Sequence, residues 1–188
     1  LSFQTSGAAG ENRTYSGESV VSGIYRNVSF SFGAFHFTTD GFRPNADQRE
    51  DIADAFIQAE ITPTTNAQFE YRHRDALRGD IVQRFFESDY RPAERNFDLT
   101  DSYRLGLRQD IGTHSTLLAS FIYQRRDYAL YDNSPPEFGL GLIDSTRPDR
   151  AYTGELQYLF HSRYVNVTSG FGYVHIARVK EVLRFSGV

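Results

Sequence analysis

Apolar and polar residues alternate with a period of two along most of this chain. Such alternation marks strands whose two faces meet different surroundings. Val28, Phe30, Phe32 and Ala34 alternate with Ser29, Ser31 and Gly33. Ala53, Ala55, Ile57, Ala59 and Ile61 alternate with Asp54, Phe56, Gln58 and Glu60. Ala67, Phe69, Tyr71 and His73 follow the same rule, as do Tyr103, Leu105 and Leu107. So do Leu117 to Tyr123, Tyr152 to Phe160 and Val165 to Tyr173. A weaker strand is predicted from about Tyr15 to Tyr25. Ile52, Ala55, Phe56 and Ala59 also fit a helical spacing, but the series 53-55-57-59-61 is longer and predicts a strand. The prediction is an all-β chain, an antiparallel up-and-down meander of about 8 strands.

The connections add direction. Arg26-Asn27, Thr62–Asn66, Gly112–Ser115 and His161–Tyr164 are short. Asp40–Glu50, Gly79–Asp98 and Tyr128–Arg150 are long. Short and long connections therefore alternate across the eight predicted strands. A soluble sandwich has no physical reason for that order. An outer-membrane barrel has one, since its turns are tight on the periplasmic side and its loops long outside. Strands of ~9–11 residues, tilted by ~45°, suffice to cross the apolar layer. Sheets cross lipid only as closed barrels, because every backbone polar group must find an internal partner.

Composition sharpens this. The chain has 188 residues, no Cys, Met or Trp, and a net charge of −4. Absent Cys removes disulfide frameworks, thiolate chemistry and Cys-ligated zinc. The charge argues against a nucleic-acid partner. Mean hydropathy is −0.50 and no run approaches the ~20 apolar residues of a spanning helix. Phe and Tyr make up the 15% aromatic content, which favours strands. With no Met and no terminal aromatic, the chain reads as a truncated barrel segment over 15–188, preceded by an irregular segment over 1–14.

The alternation assigns faces. The Ala, Leu, Phe and Tyr series is expected to face lipid. Tyr71, Tyr103, Tyr123, Tyr152 and Tyr173 are candidates for interfacial girdles. The opposite face carries Glu60, Glu70, Arg72, Arg74, Arg104, Arg108, Asp110, Arg126 and Glu155. Both signs occur on neighbouring strands, so a lumen charge network is expected. It would brace the wall or guide a polar or anionic solute. Asp47, Glu50, Asp51 and Asp54 form an acidic group that reads as a candidate cation site or a solvated loop.

Other motifs carry no chemistry. His73-Arg74-Asp75 lacks the Asn and the glycine-rich loop of a kinase. Arg78-Gly79-Asp80 is a chance adhesion tripeptide. Gly170-Phe171-Gly172 is expected to let a bulky neighbour approach the strand. The five His fall at no metal-ligand spacing, and no G-x-S-x-G elbow exists. No enzyme, cofactor or metal is expected.

Several strings together have a familiar order and spacing. They are Phe30-Ser-Phe-Gly33 with Thr39-Asp-Gly-Phe42, and Ala55-Phe-Ile-Gln-Ala-Glu60. Further ones are Phe69-Glu-Tyr-Arg72, Tyr103-Arg-Leu-Gly-Leu-Arg108 and Gly154-Glu-Leu-Gln-Tyr-Leu-Phe160. From Asn27 to Tyr173 the chain resembles the C-terminal, TonB-dependent-receptor-like barrel of bacterial tetratricopeptide-repeat proteins. The resemblance implies a Gram-negative outer-membrane location, lipid around the barrel, and a periplasmic helical-repeat region elsewhere in the same protein. No ~34-residue helical repeat occurs here. No receptor plug or energy-coupling box is found either, so energised import is not implied.

The expected function is porin-like passage or export of a polar solute or polysaccharide through an outer-membrane barrel. The alternatives are a soluble antiparallel β-sandwich binding module and a non-conducting membrane anchor or assembly scaffold.

Overall fold

The computed structural model describes all residues except 84, 85, 87, 88, 135–141, 179–181, 187 and 188. The chain is all-β. Its strands are β1 (Ser2–Gly10), β2 (Thr14–Tyr25), β3 (Val28–Thr39), β4 (Gln48–Thr62) and β5 (Thr65–Arg78). They continue as β6 (Glu94–Ile111), β7 (Ser115–Asp132), β8 (Leu142–His161), β9 (Asn166–Arg178) and β10 (Val182–Ser186). From β1 to β9 each strand pairs antiparallel with the next, in one meander sheet. β10 also pairs with β8, along Leu142–Thr146, in line with β9 along Asp149–His161.

All eight expected strands are present as β2 to β9, and the Asp47–Ile61 ambiguity resolves as strand β4. Two expectations need correction. Residues 1–14 are not irregular, because β1 pairs along its whole length with β2. Its sequence, with Gly7, Ala8 and Ala9, has no apolar alternation to read, and all of it is exposed. It is a strand because the edge of β2 offers it backbone partners. The β1–β2 turn is also tight. Asn12 and Arg13 both have positive φ, and the Thr14 amide donates to the Glu11 carbonyl at 3.1 Å. Three residues, Glu11 to Arg13, thus close the hairpin between the paired Gly10 and Thr14. It lies at the long-loop end, so the alternation of connection lengths holds from β2 onward but not before it.

The second correction concerns strand ends. β6, β7 and β8 run 18, 18 and 20 residues, well into the expected loops Gly79–Asp98 and Tyr128–Arg150. Both faces of these extensions carry polar residues, so hydrophobic alternation fades while the backbone ladder continues.

Among the described residues the buried apolar side chains are Ala46 and Ala76 alone. A two-layer domain buries its large apolar side chains between layers. Here they stay on one exposed face, including Leu105 at 52%, Phe121 at 44% and Ile57 at 42% exposure. The described sheet is open, with β1 pairing only β2 and β9 only β8.

Candidate functional site

The ladder registers align residues into rows across seven strands, and each row belongs to one face. Phe30, Ile57, Phe69, Leu105, Phe121, Gly154 and Tyr173 form one row. Val28, Ala59, Ala67, Leu107, Ala119, Leu156 and Phe171 form the row nearer the short turns. On the long-loop side the next row is Phe32, Ala55, Tyr71, Tyr103, Tyr123, Tyr152 and His175. Its tyrosine rings touch in sequence, at 5.0 Å for Tyr71–Tyr103, 6.1 Å for Tyr103–Tyr123 and 5.0 Å for Tyr123–Tyr152. Tyr173 lies one row away, and His175 takes its place in the tyrosine row. Beyond that row the same face turns charged, with His73, Asp101, Arg125 and Arg150.

The other face carries the charge network. Glu60, Glu70, Arg72, Arg74, Arg104, Arg108, Asp110, Arg126 and Glu155 all share it by register. One hollow on this face collects side chains from β4 to β8.

Near the long loops the network centres on Asp98. Arg126 grips its two carboxylate oxygens at 2.8 and 2.7 Å. Arg74 donates to it at 3.2 Å and to Glu50 at 2.6 Å. Arg78 lies 3.9 Å away. Asp98 is only 3% exposed, and its hydrogen bond with Arg126 holds the carboxyl below its ordinary pKa. The Tyr128 hydroxyl donates to Asn96 at 2.6 Å, and burial raises its pKa. These contacts tie β4, β5, β6 and β7 together at one level.

Above them the connections β3–β4 and β5–β6 latch to each other. Asp80 is fully buried, lies 3.1 Å from Arg43 and accepts the Arg91 amide at 3.0 Å. The Arg91 guanidinium reaches the buried Asp132 at 3.3 Å. Asn45 donates to the Arg91 and Glu94 carbonyls, and the Tyr90 hydroxyl to the Pro44 carbonyl at 2.8 Å. Gly79 is needed here, because a Cβ would lie 2.1 Å from the Asn45 carbonyl oxygen. The Arg78-Gly79-Asp80 tripeptide therefore has its carboxylate enclosed rather than displayed.

The structure brings together some expected residues and separates others. Arg104 pairs with Glu70 at 3.0 Å and Arg108 with Asp110 at 3.2 Å. Arg72 faces Asp54 across the β4–β5 ladder, and Glu60 faces Asn66. Glu155 stands apart from these pairs, at the hollow. The acidic group Asp47, Glu50, Asp51 and Asp54 does not assemble into a cation site. Strand alternation puts Glu50 and Asp54 on the polar face and Asp51 on the opposite one. Each also meets its own neighbour: Asp47 binds Arg95 at 2.7 Å, Glu50 binds Arg74, and Asp51 binds Arg49 at 2.8 Å. Asp54 lies over Gly33, where a Cβ would come within 2.5 Å of its Oδ1. No group of three or more metal-ligating side chains occurs among the described residues.

Asp98, Asn96, Glu94 and Asp132 were not anticipated as site residues. A signal for them existed, since Asn96, Asp98, Thr100 and Ser102 alternate with Phe97 and Leu99. Of the Gly-Phe-Gly string only Gly170 is closely approached, its Cβ position lying 2.9 Å from the Leu156 carbonyl oxygen and 3.1 Å from Gln157, whereas Gly172 has ordinary contacts.

No protein-family model and no curated protein matches the chain.

Proposed function

We propose that this chain is part of the wall of a transmembrane outer-membrane β-barrel whose polar face lines a path for passage or export of a polar solute or polysaccharide. One observation carries the reading. The apolar face is a band bounded by the tyrosine row on one side and the short turns on the other. On β6 that band runs from Tyr103 to Ile111, nine residues, within the ~9–11 that a tilted spanning strand needs. In water this face would stay exposed without a core to absorb it. In hydrocarbon, each large side chain, about half exposed here, gains roughly half of the ~1.5–3 kcal/mol of full burial. The charged row beyond the tyrosines then lies at headgroup level, and the Asp98 cluster lies outside the lipid.

The hollow on the polar face, shared by β4 to β8, supports a lumen on that side. The resemblance to TonB-dependent-receptor-like barrels of tetratricopeptide-repeat proteins supports an outer-membrane location. It adds a periplasmic helical-repeat region as part of the same proposal. One sheet with no second layer among the described residues weighs against a soluble sandwich. A non-conducting anchor draws support from the Asp98 cluster, which braces four strands. Conductance of the intact protein across a planar bilayer separates passage from anchoring.

The direct test is flotation of the refolded chain with phospholipid vesicles. Co-migration with the vesicles is expected. A monomer that stays in the aqueous fraction without detergent overturns the membrane reading.

A further inference from the structure

The polar face is not uniform. Near the long loops its polar side chains satisfy one another. Near the short turns Arg108 and Asp110 pair, but the uncharged side chains around them do not. There a hollow of about 470 Å³ is lined by Gln58, Asn66, Gln68, Ser120, Glu155 and Gln157, with Gly106 as bare floor. Among the described residues, none of those six side chains makes a hydrogen bond to another protein group. The volume falls within the ~300–1,000 Å³ of ordinary ligand clefts.

The chemistry of the lining selects a ligand class. Each primary amide offers two N–H donors and a carbonyl acceptor, and a serine hydroxyl does both. Such groups match solutes whose own groups both donate and accept, as every hydroxyl of a sugar does. The charges at the hollow are Arg108 and Glu155, of opposite sign, and Arg108 is already engaged by Asp110 at 3.2 Å. An anion would need an uncommitted cation there. We propose that this hollow is a subsite for an uncharged, polyhydroxylated solute, a neutral sugar unit, recognised by the amides of Gln58, Asn66, Gln68 and Gln157. The inference rests on the barrel reading for its place inside a lumen, and it narrows the polar solute of that reading to a neutral one.

The floor explains why the hollow exists. A Cβ at Gly106 would lie 2.7 Å from Cγ of Gln68, so any side chain there displaces Gln68 and fills the space. Gly106→Leu therefore blocks the subsite from below, whereas Gln58→Leu, Gln68→Leu and Gln157→Leu remove its hydrogen-bonding groups.

The test is calorimetric titration of the full chain, refolded in detergent micelles, with maltohexaose and separately with an anionic galacturonate hexamer. Saturable binding of maltohexaose, weakened about tenfold or more in the triple Gln→Leu variant and in Gly106→Leu, is expected. A variant that does not refold is replaced by Gln68→Ala alone, for which weakened binding is again expected. Absence of saturable maltohexaose binding, tighter binding of the galacturonate, or unchanged affinity in the variants overturns the subsite. Vesicle flotation of the same preparation reports on the barrel separately. A chain that floats but does not bind loses the subsite and keeps the barrel. One that binds but stays aqueous keeps the subsite and loses the barrel.

Discussion

Tyr103 of β6 stands directly opposite Tyr123 of β7, with the rings stacked and their centroids 6.1 Å apart. Tyr103 also meets Tyr71 on its other side at 5.0 Å, so it is a shared member of a ring ladder along one edge of the apolar band. Aromatic pairs add ~0.5–1.5 kcal/mol beyond area burial. Tyr103→Ala should therefore destabilise the folded chain in vesicles by about 1–3 kcal/mol, read from urea titrations followed by far-ultraviolet circular dichroism. Tyr103→Phe should retain most of the stability. Equal losses in the two would show that the ring contacts contribute nothing.

The face assignment predicts a contrast between neighbours. Ile57 lies on the apolar face between Phe30 and Phe69, and Gln58 lies on the polar face between Ser29 and Gln68. Ile57→Arg should impair vesicle insertion and lower stability by up to ~2–4 kcal/mol, the scale for a charge facing lipid near mid-membrane. Gln58→Arg should be mild. Insertion yields that fall equally would refute the assignment.

Acid should loosen the long-loop end first. The folded-state pKa of Asp98 is lowered below its ordinary value near 3.8, chiefly by the hydrogen bond with Arg126. A depressed carboxylate pKa adds stability that is present above that ordinary value and fades as pH falls through the lowered one. Asp98→Asn should remove part of this acid dependence. At neutral pH the same variant should cost about 2 kcal/mol, less than the ~3–5 of a fully buried pair, because Arg74 and Arg126 are about a third exposed. Urea midpoints of both proteins from about pH 7 down to about pH 2, through the window below the ordinary carboxylate value, provide the check; parallel profiles would contradict it.

The latch between connections is testable by protease. Asp80→Ala leaves the Arg43 guanidinium and the Arg91 amide without their carboxylate. Arg43 keeps the carbonyls of residues 80 and 82, so the loss falls mainly on the Arg91 amide, and an unsatisfied donor typically costs ~1–3 kcal/mol. The expected result is faster tryptic cleavage in the β5–β6 connection with the spanning strands intact. Unchanged cleavage kinetics would mean that the buried carboxylate does not hold the connection.

Much of this architecture is legible one residue at a time. Ile57 and Gln58 reveal their faces because strand periodicity is local, and the eight strands β2 to β9 follow from it. The tight turns are legible too. At Gly112 the positive φ of 67° needs no side-chain compromise, and the sequence around it marks a turn. The nine network charges fall on one face for the same local reason.

Which residues share a face follows from alternation, a property of each strand alone. Which residues share a row, and which partners they find, depends on how the strands align with one another. Register fixed Tyr71, Tyr103, Tyr123 and Tyr152 into one ladder while shifting Tyr173 out of it. It converged Arg74 and Arg126 on Asp98, drew Ser2–Gly10 into the sheet as β1, and scattered the acids of Asp47 to Asp54 among separate partners. Backbone pairing between strands distant in sequence sets those alignments, and no periodicity within a single strand encodes them.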